Sequence, residues 1–179
     1  MSEVFGVVGA GTMGNGIAQV AARAGFDVVM RDVAPEFLAR GRAAIDKSLQ
    51  RDVDKERLSA DEKQTILGRV RTTTGLDDLR DAFIVVEAVT ENLNLKSELF
   101  KALDGIMKSH AILASNTSSI SITKLGAVTQ RPEKVIGMHF MNPVPVMKLG
   151  NYSRGRDYRR NVSDGAGIDR EARQDPPGV

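Results

Sequence analysis

The sequence predicts an α/β fold with a doubly wound, mostly parallel sheet, and three observations carry that prediction. Apolar runs alternate with stretches of helical periodicity through residues 1–149. The first run, Val4 to Val8, passes directly into Gly9-Ala-Gly-Thr-Met-Gly14 and a helix of small residues. A later run, Phe83-Ile-Val-Val-Glu87, is apolar at consecutive positions, as in a strand covered on both faces of a parallel sheet.

The elements follow in order. After the strand at Val4 to Val8, Ile17, Ala18, Val20, Ala21 and Ala22 mark a tightly packing helix. A second strand, Phe26 to Met30, ends just before Asp32. Phe37, Leu38, Ile45 and Leu49 give Glu36 to Arg51 one apolar face, and a charged stretch, Asp52 to Lys55, follows. Ser59-Ala-Asp-Glu62 has capping-box spacing and starts a helix to about Gly68. Strand propensity returns at Thr72 to Thr74, and the buried run Phe83 to Glu87 comes next. The remaining elements are a helix from Leu95 to Met107, a strand at Ala111 to Ala114, a short helix over Ser121 to Ala127 and a strand at Val135 to Met138. Ligands of such sheets sit beyond the carboxyl ends of the strands. Three late strand ends carry polar groups toward one crevice: Glu91 and Asn92, Asn116 to Ser119, and His139 to Asn142.

Composition narrows the function. A net charge of +2, with arginines spread along the chain, gives no basic stripe for nucleic acid or an acidic membrane. The absence of cysteine excludes disulfides, thiol catalysis and cysteine metal sites, and fits a reducing cytoplasm. No signal-like leader and no apolar stretch of about 20 residues is present, so a cytoplasmic protein without a membrane partner is expected.

The opening motif points to a dinucleotide. Gly9 permits a tight strand-to-helix turn, Gly11 lets the backbone approach a pyrophosphate, and Gly14 lets helix and strand pack closely. The helix start offers free N–H groups and partial positive charge to phosphates. Asp32 lies 18 residues after Gly14, at the end of the second strand, where a carboxylate accepts from ribose hydroxyls. That acid favours NAD over NADP by repelling a 2′-phosphate, and Arg31 beside it offsets part of the preference.

Four segments closely resemble the NAD-binding domain of the 3-hydroxyacyl-CoA dehydrogenases, especially the bacterial 3-hydroxybutyryl-CoA dehydrogenases: Gly9 to Gly14, Val86-Glu-Ala-Val-Thr-Glu-Asn92, Ala114-Ser-Asn-Thr-Ser-Ser119 and Gly137-Met-His-Phe-Met-Asn-Pro-Val-Pro-Val-Met-Lys-Leu149. The resemblance covers residues 3–149 and implies a Rossmann-type domain. It makes Gly9, Gly11, Thr12, Met13 and Gly14 the pyrophosphate turn and Asp32 the ribose acid. Glu91 and Lys96 become contacts to the nicotinamide side, and Ser118 touches both nicotinamide and substrate. His139 becomes the catalytic base and Asn142 a neighbour of the reacting carbon, while Ser48 and Lys55 hold the CoA moiety. The implied reaction is NAD-dependent oxidation of an (S)-3-hydroxyacyl-CoA, with short chains such as hydroxybutyryl expected. A histidine suits removal of the hydroxyl proton because its ordinary pKa, about 6.5, lets it cycle at neutral pH. Ser118 can donate to the developing oxygen.

Taken singly, these residues have plainer readings. Met13 reads as helix packing, Glu91 as a loop carboxylate, Lys55 as a solvated side chain and Ser118 as a cap for the helix at Ser121. His110, the other histidine, reads as a surface residue. Two other functions also fit the turn: an NAD-binding module without catalysis, and a dehydrogenase of 3-hydroxyacids. Ser118, His139 and Asn142 argue against the latter, which generally uses a lysine on a later helix.

The chain departs from the family after Leu149. The family continues Val-Glu, and its glutamate orients the catalytic histidine; here Gly150 and Asn151 stand instead. The family then continues into a helical domain that supplies a further asparagine and most of the dimer interface. Residues 150–179 do not match it, and only seven of these 30 are hydrophobic, so disorder is the expectation. Codons permitted for Gly150 to Gly155, read in another frame, encode Val-Glu-Ile-Ile-Arg-Gly, which suggests a frameshifted terminus. The expectation is a chain that binds NAD with little or no turnover.

Overall fold

The computed structural model describes residues 3–145 and 151–154. Among the described residues seven strands form one sheet: β1 Val4–Val8, β2 Asp27–Arg31, β3 Val70–Thr73, β4 Ala82–Glu87, β5 Ile112–Ser115, β6 Val135–His139 and β7 Asn151–Arg154. Their order is β3-β2-β1-β4-β5-β6-β7. The first six run parallel, and β7 pairs antiparallel with β6. This is the doubly wound arrangement, whose order reverses between β1 and β4 and opens a crevice there.

The helices are α1 Thr12–Arg23, α2 Pro35–Asp54, α3 Ala60–Gly68, α4 Leu93–Ile106 and α5 Ile122–Gly126. Helix α2 runs through Asp54, into the charged stretch expected to follow it. Its extra turn is tied down by Arg23 on Asp52 at 2.6 Å and Gln50 on Asp54 at 2.8 Å. The expected capping box of α3 is formed: Ser59 Oγ accepts from Glu62 N–H, and Glu62 accepts from Ser59 N–H. Strand β3 begins at Val70, earlier than the threonine run suggested, because Val70 is buried and anchors it.

The period of two along each strand divides the core between the faces of the sheet. Phe5 and Val7 of β1, Val28 and Met30 of β2, and Ile84 and Val86 of β4 pack on the face of α1 and α2, against Ile17, Ala18, Ile45 and Leu49. Val8, Val29, Val85 and Leu113 point the other way, toward Phe100 and Leu103 of α4 and Leu125 of α5. Phe5, Phe26 and Phe83 form an aromatic cluster with centroids 5.4–6.0 Å apart. Both layers leave the carboxyl ends of the strands to the loops.

Strand β7 corrects part of the expectation for the tail. Its composition gave no regular structure, yet Asn151–Arg154 pairs with β6 from Ile136↔Arg154 to His139↔Asn151. The physical reason is the sheet edge: β6 presents a row of backbone N–H and C=O groups that any extended segment can satisfy. The disorder expected for residues 155–179 falls outside the described residues. Among the described residues, no helix is long and apolar enough to cross a membrane.

Candidate functional site

The glycine turn is built by backbone geometry. Gly9 has φ of +105°, a region that favours glycine, and a Cβ there would stand 2.7 Å from the Ala88 carbonyl oxygen. A Cβ on Gly14 would stand 1.7 Å from the Gly9 carbonyl oxygen, so only glycine lets α1 start this close to β1. Gly11 differs: a Cβ there meets nothing within 4 Å. Steric exclusion inside the protein therefore explains Gly9 and Gly14, while the space over Gly11 is open for a ligand. Gly11 is also the N-cap of α1, with no side chain capping the helix and no acid in its first turn. Bare N–H groups at a helix start, under an open glycine, fit a pyrophosphate.

Asp32 is tied to this turn. Its Oδ2 accepts from Ala10 N–H at 2.7 Å and its Oδ1 from Val33 N–H at 2.7 Å, which fixes the carboxylate beside the glycines. Arg31 is drawn elsewhere, its Nε donating to the Thr74 carbonyl at 3.2 Å. The cation that could weaken the preference for NAD is thus engaged by the residue that follows β3. Helix α2 crosses the turn closely at Gly41, where a Cβ would meet the Ala10 carbonyl oxygen at 2.7 Å.

Across the switch point, the ends of β4, β5 and β6 hold a cleft of about 430 Å³. Met13 enters it from the glycine turn, Glu91, Asn116 and Ser118 from the loops, and His139 and Asn142 from the end of β6. These strand ends are bound to one another. Asn116 N–H donates to the Glu87 carbonyl at 2.8 Å, and Asn116 Oδ1 accepts from Phe140 N–H at 2.9 Å. Thr117 Oγ1 lies 2.9 Å from Glu91 Oε2, and Ser118 N–H donates to Glu91 Oε1 at 3.3 Å. Thr117, not Ser118, organises the turn toward α5, since its Oγ1 accepts from Ile120 N–H at 3.0 Å. The exposed Ser118 hydroxyl makes no hydrogen bond among the described residues.

Beneath the cleft lies a buried charge pair. Glu87 is 0% exposed and Lys96 1% exposed. Lys96 Nζ donates to Glu87 Oε1 at 2.6 Å and to the Val89 carbonyl at 3.3 Å, and lies 3.6 Å from Glu91 Oε2. Glu87 also accepts from Val89 N–H and from Ser115 Oγ, each at 2.7 Å. Every oxygen of this desolvated carboxylate is satisfied, as burial of a charge requires.

The structure thus brings Met13, Glu91, Ser118, His139 and Asn142 to one cleft and sets the glycine turn and Asp32 beside it. Lys96 sits below the floor and is reached through Glu91. Ser48 and Lys55 stand apart, on the last turns of α2 and its C-cap, close to one helix face. Glu87 and Ser115 were given no role from sequence, and Asn116 was read only as one of the polar groups at a strand end. The signal available was an acid closing an otherwise apolar strand run. Gly16 was also missed: a Cβ there would meet Val144 Cβ at 2.7 Å, so the segment after Asn142 lies directly on α1.

The family model described as 3-hydroxyacyl-CoA dehydrogenase, NAD binding domain, matches residues 4–161. The chain is 55% identical over 151 residues to a Deinococcus radiodurans protein named "Probable 3-hydroxybutyryl-CoA dehydrogenase", covering 84% of this chain and 54% of that protein. It is 50% identical over 150 residues to the 3-hydroxybutyryl-CoA dehydrogenase of Bradyrhizobium diazoefficiens, covering 84% and 51%. The crystal structure of (S)-3-hydroxybutyryl-CoA dehydrogenase from Ralstonia eutropha matches with a TM-score of 0.84 and 50% identity, covering 87% of this chain and 55% of that one. The chain spans about half the length of the relatives it matches.

Proposed function

The chain belongs to the 3-hydroxyacyl-CoA dehydrogenase family through its NAD-binding domain, and on that premise we propose that it is the nucleotide-binding part of an enzyme that oxidises (S)-3-hydroxyacyl-CoA, with 3-hydroxybutyryl-CoA as substrate, to 3-oxoacyl-CoA. The observation that carries this reading is the cleft at the switch point, which His139, Ser118 and Asn142 line together with Met13 from the start of α1. Gly9, Gly11, Thr12, Met13 and Gly14 hold the pyrophosphate, Asp32 the adenosine ribose, and Glu91, Ser118 and Asn142 the nicotinamide end, with Lys96 acting beneath Glu91. When bound, NAD supplies the hydride acceptor. His139 takes the proton from the substrate hydroxyl. The free Ser118 hydroxyl donates to the substrate oxygen and Asn142 orients the reacting carbon. Ser48 and Lys55 bind the CoA portion along α2, where a lysine suits phosphate charge.

By itself the chain is proposed to bind NAD with little or no turnover. The ladder between β6 and β7 sets Asn151 directly across from His139, the position where the family resemblance implies a glutamate. An asparagine cannot stabilise an imidazolium as a carboxylate does. The test is titration of the chain with NADH and NADPH, then assay with acetoacetyl-CoA. Binding of NADH at least about tenfold tighter than NADPH supports Asp32 as the ribose acid. Equal affinities would remove that role, and oxidation of CoA-free 3-hydroxybutyrate would favour the 3-hydroxyacid reading.

A further inference from the structure

Three charges meet where β4 and β5 end. Glu87 and Lys96 are both buried and 2.6 Å apart, and the Glu91 side chain, 44% exposed, is 3.6 Å from the same ammonium. A cation so placed could serve either carboxylate, and the geometry decides which. Lys96 is in direct contact with Glu87, and Glu87 is fixed in turn by Ser115 Oγ and Val89 N–H. Glu91 is held on the cleft side by Thr117 and by Ser118 N–H. Two carboxylates and one ammonium leave the cluster one negative charge in excess, and the part that faces the cleft is Glu91.

We propose that Glu87 is the counterion that cancels Lys96, so that the Glu91 carboxylate presents an uncompensated negative charge to the cleft and tilts the site toward the oxidised, cationic form of a nicotinamide cofactor. The proposal rests on the reading of this cleft as the nicotinamide site. The oxidised ring carries a positive charge that the reduced ring lacks, so a carboxylate beside it distinguishes the two. Screening by water is weak where one side of the cluster is protein interior. Glu87 acts through Lys96 and is therefore a positioning residue, touching neither cofactor nor substrate.

The experiment is the ratio of NAD+ to NADH dissociation constants, measured by calorimetry on the whole chain and its variants. Glu87→Gln keeps the shape and removes one negative charge, leaving Lys96 free to neutralise Glu91. It is expected to raise the ratio about three- to tenfold, chiefly by weakening NAD+. Glu91→Gln is expected to raise it by a similar factor. Ser115→Ala changes no charge and leaves the ratio as it is. A purely structural role for Glu87 would weaken both forms together and leave the ratio unmoved, which overturns the proposal.

The double variant Glu87→Gln, Lys96→Gln removes the pair as a neutral unit and covers the case in which the single variant does not fold. It is expected to keep the parent ratio, and a clear shift would show that the pair was not self-cancelling. If the parent chain bound neither form, the reading of the cleft would fail instead, which separates the two ideas.

Discussion

The two sides of the switch point are built on opposite principles. Around β1 and α1 the site is made by omitting side chains: Gly9, Gly11 and Gly14 bring backbone to where the ligand is proposed to lie, and Asp32 is held by main-chain N–H groups. Around β4 and β5 it is made by side chains that are buried, charged and mutually satisfied, with Glu87 and Lys96 at the centre. At Gly9 and Gly14 the first side tolerates no added atom. The second tolerates no lost partner. A single substitution should therefore act through sterics on one side and through an orphaned charge on the other.

The largest effect is expected on the charged side. Replacing Lys96 by Met leaves Glu87 buried without its cation, and loss of one partner of a buried pair costs about 3–5 kcal/mol. Chemical denaturation of Lys96→Met against the parent measures it. A loss below about 1 kcal/mol would make the pair no different from the exposed Arg80–Asp77 bridge, whose kind contributes at most about 1 kcal/mol.

On the glycine side, Gly14→Ala forces a methyl onto the Gly9 carbonyl and is expected to cost about 3 kcal/mol, with loss of NADH binding. Gly11→Ala sharpens the contrast. Its Cβ has free space and φ is −66°, so stability should change by less than about 0.5 kcal/mol while NADH affinity falls at least tenfold. Thermal melts paired with fluorescence titration of both variants separate a turn that must fold from a surface that must stay open. Equal destabilisation by the two would erase that distinction.

Most of the fold was legible because its signals are local. The alternation of apolar runs with helical periodicity, the capping box at Ser59 and Glu62, and the spacing from Gly14 to Asp32 each depend on a few neighbouring residues. The charge pair was not legible: Glu87, Lys96 and Ser115 meet only because parallel strands β4 and β5 lie side by side with α4 behind them. The same holds for Asn116, which ties β5 to Phe140, and for Gly16 under Val144. Strand β7 escaped because pairing at a sheet edge uses backbone groups, which apolar patterning does not report.

The smallest effect lies away from both sides. Glu62 accepts from the Ser59 N–H and is bonded to it reciprocally through the Ser59 hydroxyl, which holds its carboxyl below the usual glutamate range. A lowered folded-state pKa gives stability that is complete above the unfolded value and lost as the pH falls through the folded one. Glu62→Gln should therefore flatten the acid limb of the stability profile slightly and leave neutral pH nearly unchanged. Denaturation midpoints from neutral pH down into the acid range would show it, and an unchanged acid limb would count against the cap as a source of pH dependence.

The ladder that pairs Asn151 with His139 bears on the proposal that this chain binds a nicotinamide nucleotide with little or no turnover. The most direct measurement is fluorescence titration with NADH followed at once by acetoacetyl-CoA-dependent NADH oxidation, on the parent and on Asn151→Glu. The account predicts saturable NADH binding by both, negligible turnover by the parent and a measurable gain on restoring the carboxylate. Failure to bind NADH, or substantial turnover by the parent, would contradict it.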